Sequence, residues 1–206
     1  VNSIEDSLSA FQALGVQGIT NWPTAGFIDG TIRAVMESEG LGVDAEVALL
    51  AAAKRRGLGA FGFALEAAAA RRFAEVGADA LILDLGLTRR LDDVREHSDQ
   101  LQRAIVRLQE ILAAVKETGR RPLLLCFGGP VTTADDLEPV FRQCEIDGFA
   151  GGSVFERLPV HEVVTATVRR FKSTGAAMES SRRETGLGDL IGRSPVMKEV
   201  FHLIRR

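Results

Sequence analysis

Short apolar, β-prone runs alternate with longer amphipathic segments along this chain, and no other feature limits its fold as strongly. Two of the runs, ALILDL and PLLLCF, are almost continuously apolar, which is typical of strands buried on both faces. The amphipathic segments carry apolar residues at helical spacing, as helices packed by one face onto a sheet require. We therefore expect an α/β fold of parallel strand-then-helix units. The predicted strands are Gly18–Trp22, Ala60–Ala64, Ala80–Leu85, Pro122–Phe127 and Gly148–Val154, and the predicted helices are Ile4–Leu14, Asp44–Arg56, Glu66–Val76, Asp99–Thr118 and Ala134–Cys144.

The loops of the two kinds differ in composition. A glycine follows most predicted helices, where a left-handed C-cap favours glycine, and the loop into the next strand is short. After Pro23, Leu85 and Phe127 the strand-to-helix loops are longer and rich in Gly, Pro, Thr and Asp. In a β/α barrel the loops at the carboxyl ends of the strands carry the chemistry, so we look for a site there. The glycines that follow helices are Gly15, Gly57, Gly77 and Gly119.

The C-terminal part of the sequence has a different organisation. Val160–Lys172 is predicted as a closing helix, and residues 173–186 are small, polar and charged, which is linker composition. Residues 187–206 carry one more amphipathic helix but are too few for a core of their own, so we expect the start of a second domain. Because the sequence opens on Val1 and on a helix-like segment, we also expect it to be part of a longer protein.

Charge and composition exclude several classes of function. The formal charge of −3 gives no basic field for direct nucleic-acid binding. No apolar run reaches the roughly 20 residues of a membrane span, and there is no signal segment, so we expect a cytoplasmic protein. Cys126 and Cys144 lack metal-binding spacing and are expected as free thiols. No GxxxxGK[ST] loop is present for ATP hydrolysis, and the three histidines are too far apart in sequence to indicate a catalytic pair.

The richest loop is Asn21–Gly30, NWPTAGFIDG, which places an amide, a hydroxyl and a carboxylate after the first strand. Asn21 and Thr24 are ligand-binding candidates, and Asp29 is a catalytic candidate if the protein is an enzyme. The same residue types commonly cap turns and helices, and this structural alternative stays open.

Three further strand ends carry candidate groups. Asp84 ends a buried strand, where a bare charge needs a partner, a metal or a ligand, although a loop amide would also satisfy it. In CFGGPVTT the paired glycines can leave N–H groups open to an anion before Thr132 or Thr133 caps a helix, but a tight turn needs the same glycines. The last loop, GGSVFERLP, offers Ser153, Glu156 and Arg157, of which the charged two can also pair with each other. The ligand-binding candidates from these loops are Asp84, Gly86, Cys126, Gly128, Gly129, Ser153 and Arg157.

Taken together, four ordered motifs resemble the phosphoenolpyruvate-hydrolase-like TIM-barrel family, which also supplies the C-terminal barrel of plant Tm-1 type proteins. They are NWPTAGFIDG with ESEGLGVDAEV, VGADALILDLGLT, LLLCFGGPVTTADD and DGFAGGSVFERLPV. The resemblance implies that residues 1–172 form the last five strands of an eight-stranded parallel (β/α) barrel, without the first three. It also implies a histidine where this chain has Phe127 and another where it has Asp84, so two participants in acid–base chemistry are missing.

The tail, GDLIGRSPVMKEVFHLIRR, resembles the start of the AAA+ domain of sigma-54-dependent activators, ahead of the phosphate loop. In such regulators the N-terminal domain senses a signal. The resemblance therefore implies a barrel that binds a small anionic metabolite and acts on an AAA+ domain and, through it, on sigma-54 RNA polymerase, most simply as a sensor. We also expect a homo-oligomer, because five strand-then-helix units leave two sheet edges unpaired.

Two other functions stay open. One is a phosphoenolpyruvate hydrolase-like enzyme that acts on an enolisable carboxylate or phosphonate substrate, with Mg²⁺ held by Asp84 or Glu156 and with Asp29 and Glu156 as catalytic residues. The other is a barrel that serves only as an oligomerisation platform. Whichever function applies, we expect any contact with DNA to come from a partner or a further domain rather than from this chain.

Overall fold

A computed structural model describes residues 3–156 and, beyond them, residues 163–166, 169, 186–187 and 190–191. The chain divides into two compact units, Val1–Glu156 and Arg157–Arg206. The first unit contains the predicted strand-then-helix units. Its strands are β1 (Gly18–Thr20), β2 (Gly59–Ala64), β3 (Ala80–Asp84), β4 (Leu123–Phe127) and β5 (Gly148–Ala150). Its helices are α1 (Ile4–Ala13), α2 (Gly30–Ser38), α3 (Val43–Arg55), α4 (Ala67–Glu75), α5 (Val94–Lys116), α6 (Ala134–Gln143) and α7 (Ser153–Glu156), with a short 3₁₀ turn at Ala25–Phe27.

The five strands form one parallel sheet in the order β1-β2-β3-β4-β5. Each strand therefore lies beside the next strand in sequence. Crossovers between parallel neighbours are almost always right-handed, which puts successive connecting helices on the same face of a sheet. Because all five strands run the same way, their carboxyl ends lie along one edge of the sheet, which we call the C-terminal edge. This parallel α/β sheet is the arrangement of consecutive units in a barrel, and its closure with further strands stays a prediction.

The hydrophobic core lies between the sheet and the helices. Side chains at alternate strand positions point into it, since successive side chains of a strand face opposite ways. Leu81 and Leu83 of β3 and Cys126 of β4 are fully buried there, and Phe73 of α4 packs beside Gly62. A Cβ atom on Gly62 would lie 2.9 Å from the Phe73 ring, so glycine lets α4 approach β2 closely. Other fully buried core residues are Leu8, Leu50, Ile105, Leu108, Ile111 and Val140.

The opposite face of the sheet carries the intervening side chains. Phe63 pairs in register with Ile82, and Asp84 with Phe127, so these four belong to that face. Phe61, on the same face, keeps 38% of its surface exposed. This aromatic face therefore contrasts with the fully buried helix side.

All five predicted strands and the five predicted helices between and before them are present, with shifted ends. Helix α5 begins at Val94 rather than Asp99, because Asp93 caps it by accepting a hydrogen bond from the Glu96 N–H. The strand predicted for Gly148–Val154 ends at Ala150, and Ser153–Glu156 is helical. Helix α2 was not predicted: it carries a short apolar stripe at helical spacing, Ile32 and Val35, but that stripe is exposed and the helix has no buried residue.

The predicted caps are confirmed. Gly15, Gly57, Gly77 and Gly119 all have φ between 68° and 84°, the left-handed region that favours glycine. Thr133 is the N-cap of α6 and forms a capping box with Asp136.

In the second unit, β6 (Gly186–Leu187) pairs antiparallel with β7 (Leu190–Ile191). Gly186, the last residue of the predicted linker, belongs to this pairing. The rest of the linker, the tail helix and most of the predicted helix Val160–Lys172 lie outside the described residues. Within the described part of the chain, no helix has the length and apolar character needed to cross a membrane.

Candidate functional site

The predicted site residues that the structure describes come from segments at the C-terminal edge. Asn21 and Thr24 follow β1, Asp84 ends β3, Gly128 follows β4 and Ser153 follows β5. Parallel pairing of all the strands brings these segments to one side of the molecule. Arg157 lies outside the described residues, and of Glu156 only the backbone position, in α7, is described.

Asn21 links three elements through its side chain. Its Oδ1 accepts a hydrogen bond from the Phe63 N–H (2.6 Å), and its Nδ2 donates to the Phe63 carbonyl (3.1 Å) and to Glu46 Oε2 (2.7 Å). The side chain is only 6% exposed. These bonds fix the end of β1 against β2 and α3, and a ligand contact by Asn21 stays a prediction.

Glu46 of α3 is a residue that the sequence reading missed. Besides Asn21, it accepts hydrogen bonds from the Thr24 hydroxyl (2.9 Å) and the Ala25 N–H (2.6 Å). Thr24 also accepts from the Gly26 N–H, so it caps the 3₁₀ turn as the structural alternative expected. No local signal links Glu46 to this loop, because the partners lie 21 to 25 residues apart.

Asp29 is exposed and occupies the N-cap position of α2, without a side-chain capping bond. Its role as a proton carrier stays a prediction. The exposed carboxylate lies on the loop that follows β1, whereas Asp84 lies at the end of β3.

Asp84 is the most unusual group at this edge. It is 0% exposed, its Oδ1 accepts a hydrogen bond from the Gly86 N–H (2.7 Å), and its Oδ2 has no hydrogen-bond partner among the described residues. Burial raises the pKa of this carboxyl from 3.8 to about 6, although the Gly86 N–H and the positive charge of Arg107 lower it. A buried carboxyl with one unsatisfied oxygen and a strongly shifted pKa is a typical mark of a functional site.

Arg107 is a second residue that the sequence reading missed. It lies on the buried side of α5 and donates both Nε and Nη2 to the Leu65 carbonyl, just past the end of β2. Its charge reaches Asp84, as the effect on the pKa shows. The helical stripe of α5 predicted core packing, and an arginine in that stripe could not be assigned to the C-terminal edge before the strand order was known.

The glycine loops after β3 and β4 interlock. Gly129 donates its N–H to the Gly86 carbonyl (2.7 Å) and accepts from the Arg89 N–H (3.0 Å). Gly128 has φ of 70°, and a Cβ atom there would lie 2.4 Å from the Gly86 carbonyl oxygen. The N–H of Gly129 is thus already bonded within the chain, and an anion cradle in this loop stays a prediction.

Cys126 lies in the hydrophobic core beside these loops. It is 0% exposed, and burial raises the pKa of its thiol to about 12. Both Cys126 and Cys144 are free thiols, as expected. In register Cys126 pairs with Leu83, on the helix side of the sheet, whereas Asp84 belongs to the other face. Its packing does not favour the predicted ligand contact.

Phe127, which stands where the family resemblance implied a histidine, belongs to an aromatic cluster. Its ring centroid lies 5.5 Å from that of Phe63 and 5.7 Å from that of Trp22. Trp22 in turn contacts Phe63 and Phe27 and remains 46% exposed. The cluster gives the C-terminal edge an apolar wall on the face to which Asp84 belongs.

Sequence spacing indicated no catalytic pair for the three histidines, and the structure places one of them beside a buried acid. His97 Nε2 lies 2.9 Å from Asp136 Oδ1, and both side chains are buried. Burial would raise the pKa of Asp136, but hydrogen bonds from His97, Thr133 and Thr132 outweigh it and hold the pKa at about 2. The partners lie 39 residues apart, so sequence spacing gave no sign of them.

A cavity of about 290 Å³ lies near the same edge, between α2 and the starts of α3 and α4. Its arginines are already paired: Arg33 with Glu66 (2.8 Å) and Arg72 with Asp44 (2.7 Å).

Ser153, the remaining candidate, is half-buried at the start of α7. Among the side chains that the structure describes, no group of three or more His, Cys, Asp or Glu residues is placed to hold a metal ion.

Comparison with known proteins gives a family and three relatives. The family model described as phosphoenolpyruvate hydrolase-like matches residues 1–174. Two tomato (Solanum lycopersicum) proteins, the ToMV resistance protein Tm-1(GCR237) and the ToMV susceptible protein tm-1(GCR26), are 33% and 32% identical to this chain over 171 residues. That alignment covers 82% of the chain and 23% of each tomato protein.

The third relative, "Putative transcriptional regulatory protein y4pA" from Sinorhizobium fredii, is 28% identical over 211 aligned positions, which cover 99% of this chain and 35% of that protein. This chain therefore spans between about a quarter and a third of the length of these relatives. The family match extends over the whole parallel sheet and all the segments of its C-terminal edge. The chain belongs to the phosphoenolpyruvate hydrolase-like family.

Proposed function

We propose that this chain is the metabolite-sensing region of a cytoplasmic transcriptional regulator. The observation that carries the proposal is the similarity to y4pA, whose name describes a transcriptional regulatory protein, over 99% of this chain. The alignment includes both the sheet and the segment after it. The two tomato proteins, in contrast, match over 82% of the chain.

The ligand in this proposal is a small anionic metabolite that binds at Asp84. The unpartnered Oδ2 of Asp84 supports this position, and so does the nearby charge of Arg107. With its pKa raised to about 6, Asp84 takes up a proton more readily than an ordinary aspartate and can donate a hydrogen bond to a carboxylate oxygen. The aromatic cluster around Trp22 and Phe127 would cover the apolar part of the ligand.

The regulatory arrangement is part of the same proposal. Residues 1–172 would form the C-terminal part of an eight-stranded barrel, residues 173–186 the linker, and residues 187–206 the start of a sigma-54-type AAA+ domain. Ligand binding can control such a domain only if the ligand binds two states of the protein with different affinities. The AAA+ domain and sigma-54 RNA polymerase are the partners that this arrangement implies.

An enzyme of the phosphoenolpyruvate hydrolase type is the second candidate, and the shifted pKa of Asp84 favours it, because such shifts cluster at catalytic sites. The donor set for Mg²⁺ fits poorly. Among the described residues Asp84 belongs to no group of three or more His, Cys, Asp or Glu side chains that could hold a metal ion, and the positive charge of Arg107 acts at the same place. Catalysis by Asp29 or Glu156 stays a prediction.

One experiment separates the two functions. The protein is mixed with phosphoenolpyruvate, phosphonopyruvate or pyruvate, with and without Mg²⁺, and both the melting temperature and product formation are measured. A sensor is stabilised by a ligand that it leaves unchanged. Product formation that disappears in Asp29→Ala would contradict the sensor function, and the absence of stabilisation by any of the three compounds would count against this ligand class.

A further inference from the structure

His97 and Asp136 form a buried polar pair in which both carboxylate oxygens of Asp136 have hydrogen-bond partners. His97 lies in the first turn of α5, and Asp136 in the first turn of α6; each is 7% exposed. Asp136 Oδ2 accepts hydrogen bonds from the N–H and hydroxyl groups of Thr132 and Thr133, at 2.8 to 3.0 Å. Because Asp136 stays ionised, its Oδ1 must accept the proton of His97 Nε2.

The pair joins the starts of the two helices that follow the loops beside Asp84. Residues 85–93 lead into α5, and residues 128–133 lead into α6. Their backbones are linked by Gly129 N–H to the Gly86 carbonyl and by Arg89 N–H to the Gly129 carbonyl. The Gly86 backbone is therefore held at both of its polar groups, since its carbonyl accepts from the Gly129 N–H and its own N–H donates to Asp84 Oδ1. The hydrogen bond between His97 and Asp136 joins α5 to α6, the helices that follow these two loops. It therefore helps to keep the loops close enough for the contact between Gly129 and Gly86.

Packing alone does not explain this choice of residues. His97 Nδ1 is buried and has no hydrogen-bond partner among the described residues, so the ring carries a desolvation cost that an apolar side chain would avoid. The other charged group beside the pair is Arg90, whose Nη1 lies 3.8 Å from Asp136 Oδ2 and whose side chain is 58% exposed. The ring nitrogen that has a partner, Nε2, is the one that links α5 to Asp136 at the start of α6.

We propose that His97 and Asp136 are positioning residues that hold the two loops together and thereby fix the Gly86 backbone and the Asp84 carboxyl in their binding geometry. The inference rests on the proposed function in one respect, the affinity for an anionic ligand. The geometry of the loops and of Asp84 can be measured without any ligand.

The test compares His97→Leu with His97→Gln in the otherwise unchanged protein. Glutamine can present an N–H to Asp136 in place of Nε2, whereas leucine cannot. Lys54→Met is the control, because it removes another cross-element contact, to Asp79 (2.6 Å), just before β3 begins and so at the opposite edge of the sheet. Three quantities are measured: amide exchange of Gly129 and Arg89, the titration of the Asp84 carboxyl by NMR, and the dissociation constant for phosphoenolpyruvate.

In His97→Leu we expect exchange of both amides to accelerate about tenfold or more, because the loops open locally. The acid dissociation constant of Asp84 should rise about threefold or more, since open loops hydrate the carboxyl and relieve the burial that chiefly raises its pKa. The dissociation constant for phosphoenolpyruvate should rise about tenfold. In His97→Gln and Lys54→Met all three should stay within about twofold of the wild-type values, as expected where the loop contact survives.

Unchanged amide exchange and an unchanged Asp84 titration in a folded His97→Leu protein would overturn the positioning role, whatever the ligand does. Altered loops with unchanged affinity for phosphoenolpyruvate would overturn it as well, because the binding geometry would not depend on the pair. If the wild-type protein itself fails to bind phosphoenolpyruvate, the ligand proposed above is wrong, and the exchange and titration data still decide whether the pair positions Asp84.

Discussion

Asp84 is fully buried, and its carboxyl is a weaker acid than that of an ordinary aspartate. Its pKa is raised by burial from 3.8 to about 6 in the folded protein. The folded state therefore binds the proton more tightly than the unfolded state does. It follows that Asp84 contributes stability that is complete below about pH 4 and is lost as the pH rises through about 6. At neutral pH the ionised carboxylate is a destabilising group that the fold retains.

Asp84→Asn should consequently stabilise the protein at high pH. At pH 8 we expect an increase of about 1 to 3 kcal/mol in the free energy of unfolding, because the buried charge is gone while the Gly86 N–H can still donate to the amide oxygen. At pH 4.5 the gain should be much smaller. Urea unfolding at the two pH values measures this. The exposed Asp92→Asn serves as the control, and an equal effect of both substitutions would refute the burial argument.

Glu46 should matter for stability although it is only half-buried. Three donors, from Asn21, Thr24 and Ala25, converge on its carboxylate. In Glu46→Gln the amide N–H₂ would face at least one of these donors, so we expect a loss of about 1 to 3 kcal/mol. The exposed Glu110→Gln on α5 is the comparison. Denaturant unfolding that gives the same free energy for both variants would show that this network does not anchor the loop after β1.

Sequence analysis identified individual candidate residues better than it identified the hydrogen-bond partners of those residues. Asp84 could be chosen because an acid ends an apolar run, and burial of a charge has a known consequence. The contacts of Asn21 with Glu46 and of His97 with Asp136 join residues 25 and 39 positions apart. Such contacts depend on the order of strands in the sheet, which periodicity does not contain.

Among the elements, those with a core-facing stripe were predictable and those without one were not. Helices α3 to α6 and the apolar strands show the expected periodicity because one side is buried. Helix α2 carries Ile32 and Val35 at helical spacing, but both are exposed and the helix buries no residue, so its stripe is not part of the pattern of helices packed on the sheet. The early start of α5 depended on the cap at Asp93, a local signal that can be read from sequence when the residues before a helical stripe are examined.

The interlocked glycine loops give a matched pair of substitutions. Gly119 and Gly128 have nearly the same φ, 68° and 70°, but a Cβ atom on Gly119 meets nothing within 4 Å, whereas on Gly128 it would meet the Gly86 carbonyl at 2.4 Å. We expect Gly119→Ala to cost about 1 kcal/mol, the price of a left-handed non-glycine residue. Gly128→Ala should cost about 3 kcal/mol or more, because the clash adds to it. Thermal or urea unfolding of both variants measures the difference, and equal losses would mean that the two loops separate easily.

For the molecule as a whole, the described sheet ends in two strands, β1 and β5, that each pair on one side only within that sheet. Unpaired strand edges and a partly exposed aromatic face favour association. We therefore expect this chain, produced by itself, to form oligomers at micromolar concentration. Sedimentation velocity measures this directly, and a monomer that persists at high concentration with a sharp melting transition would contradict it.

The pH dependence of ligand affinity tests the central claim, that a protonated Asp84 receives an anionic metabolite at the C-terminal edge. The measurement is calorimetric titration of the wild-type protein and of Asp84→Asn with phosphoenolpyruvate between pH 5.5 and pH 8. Dividing the wild-type dissociation constant by that of Asp84→Asn at each pH removes the effect of the ligand's own ionisation, which is the same for both proteins. We expect the ratio of the wild-type constant to the Asp84→Asn constant to rise with pH, by up to about tenfold per unit above pH 6. A ratio that stays constant or falls with rising pH, or a wild-type protein that does not bind, would contradict the claim.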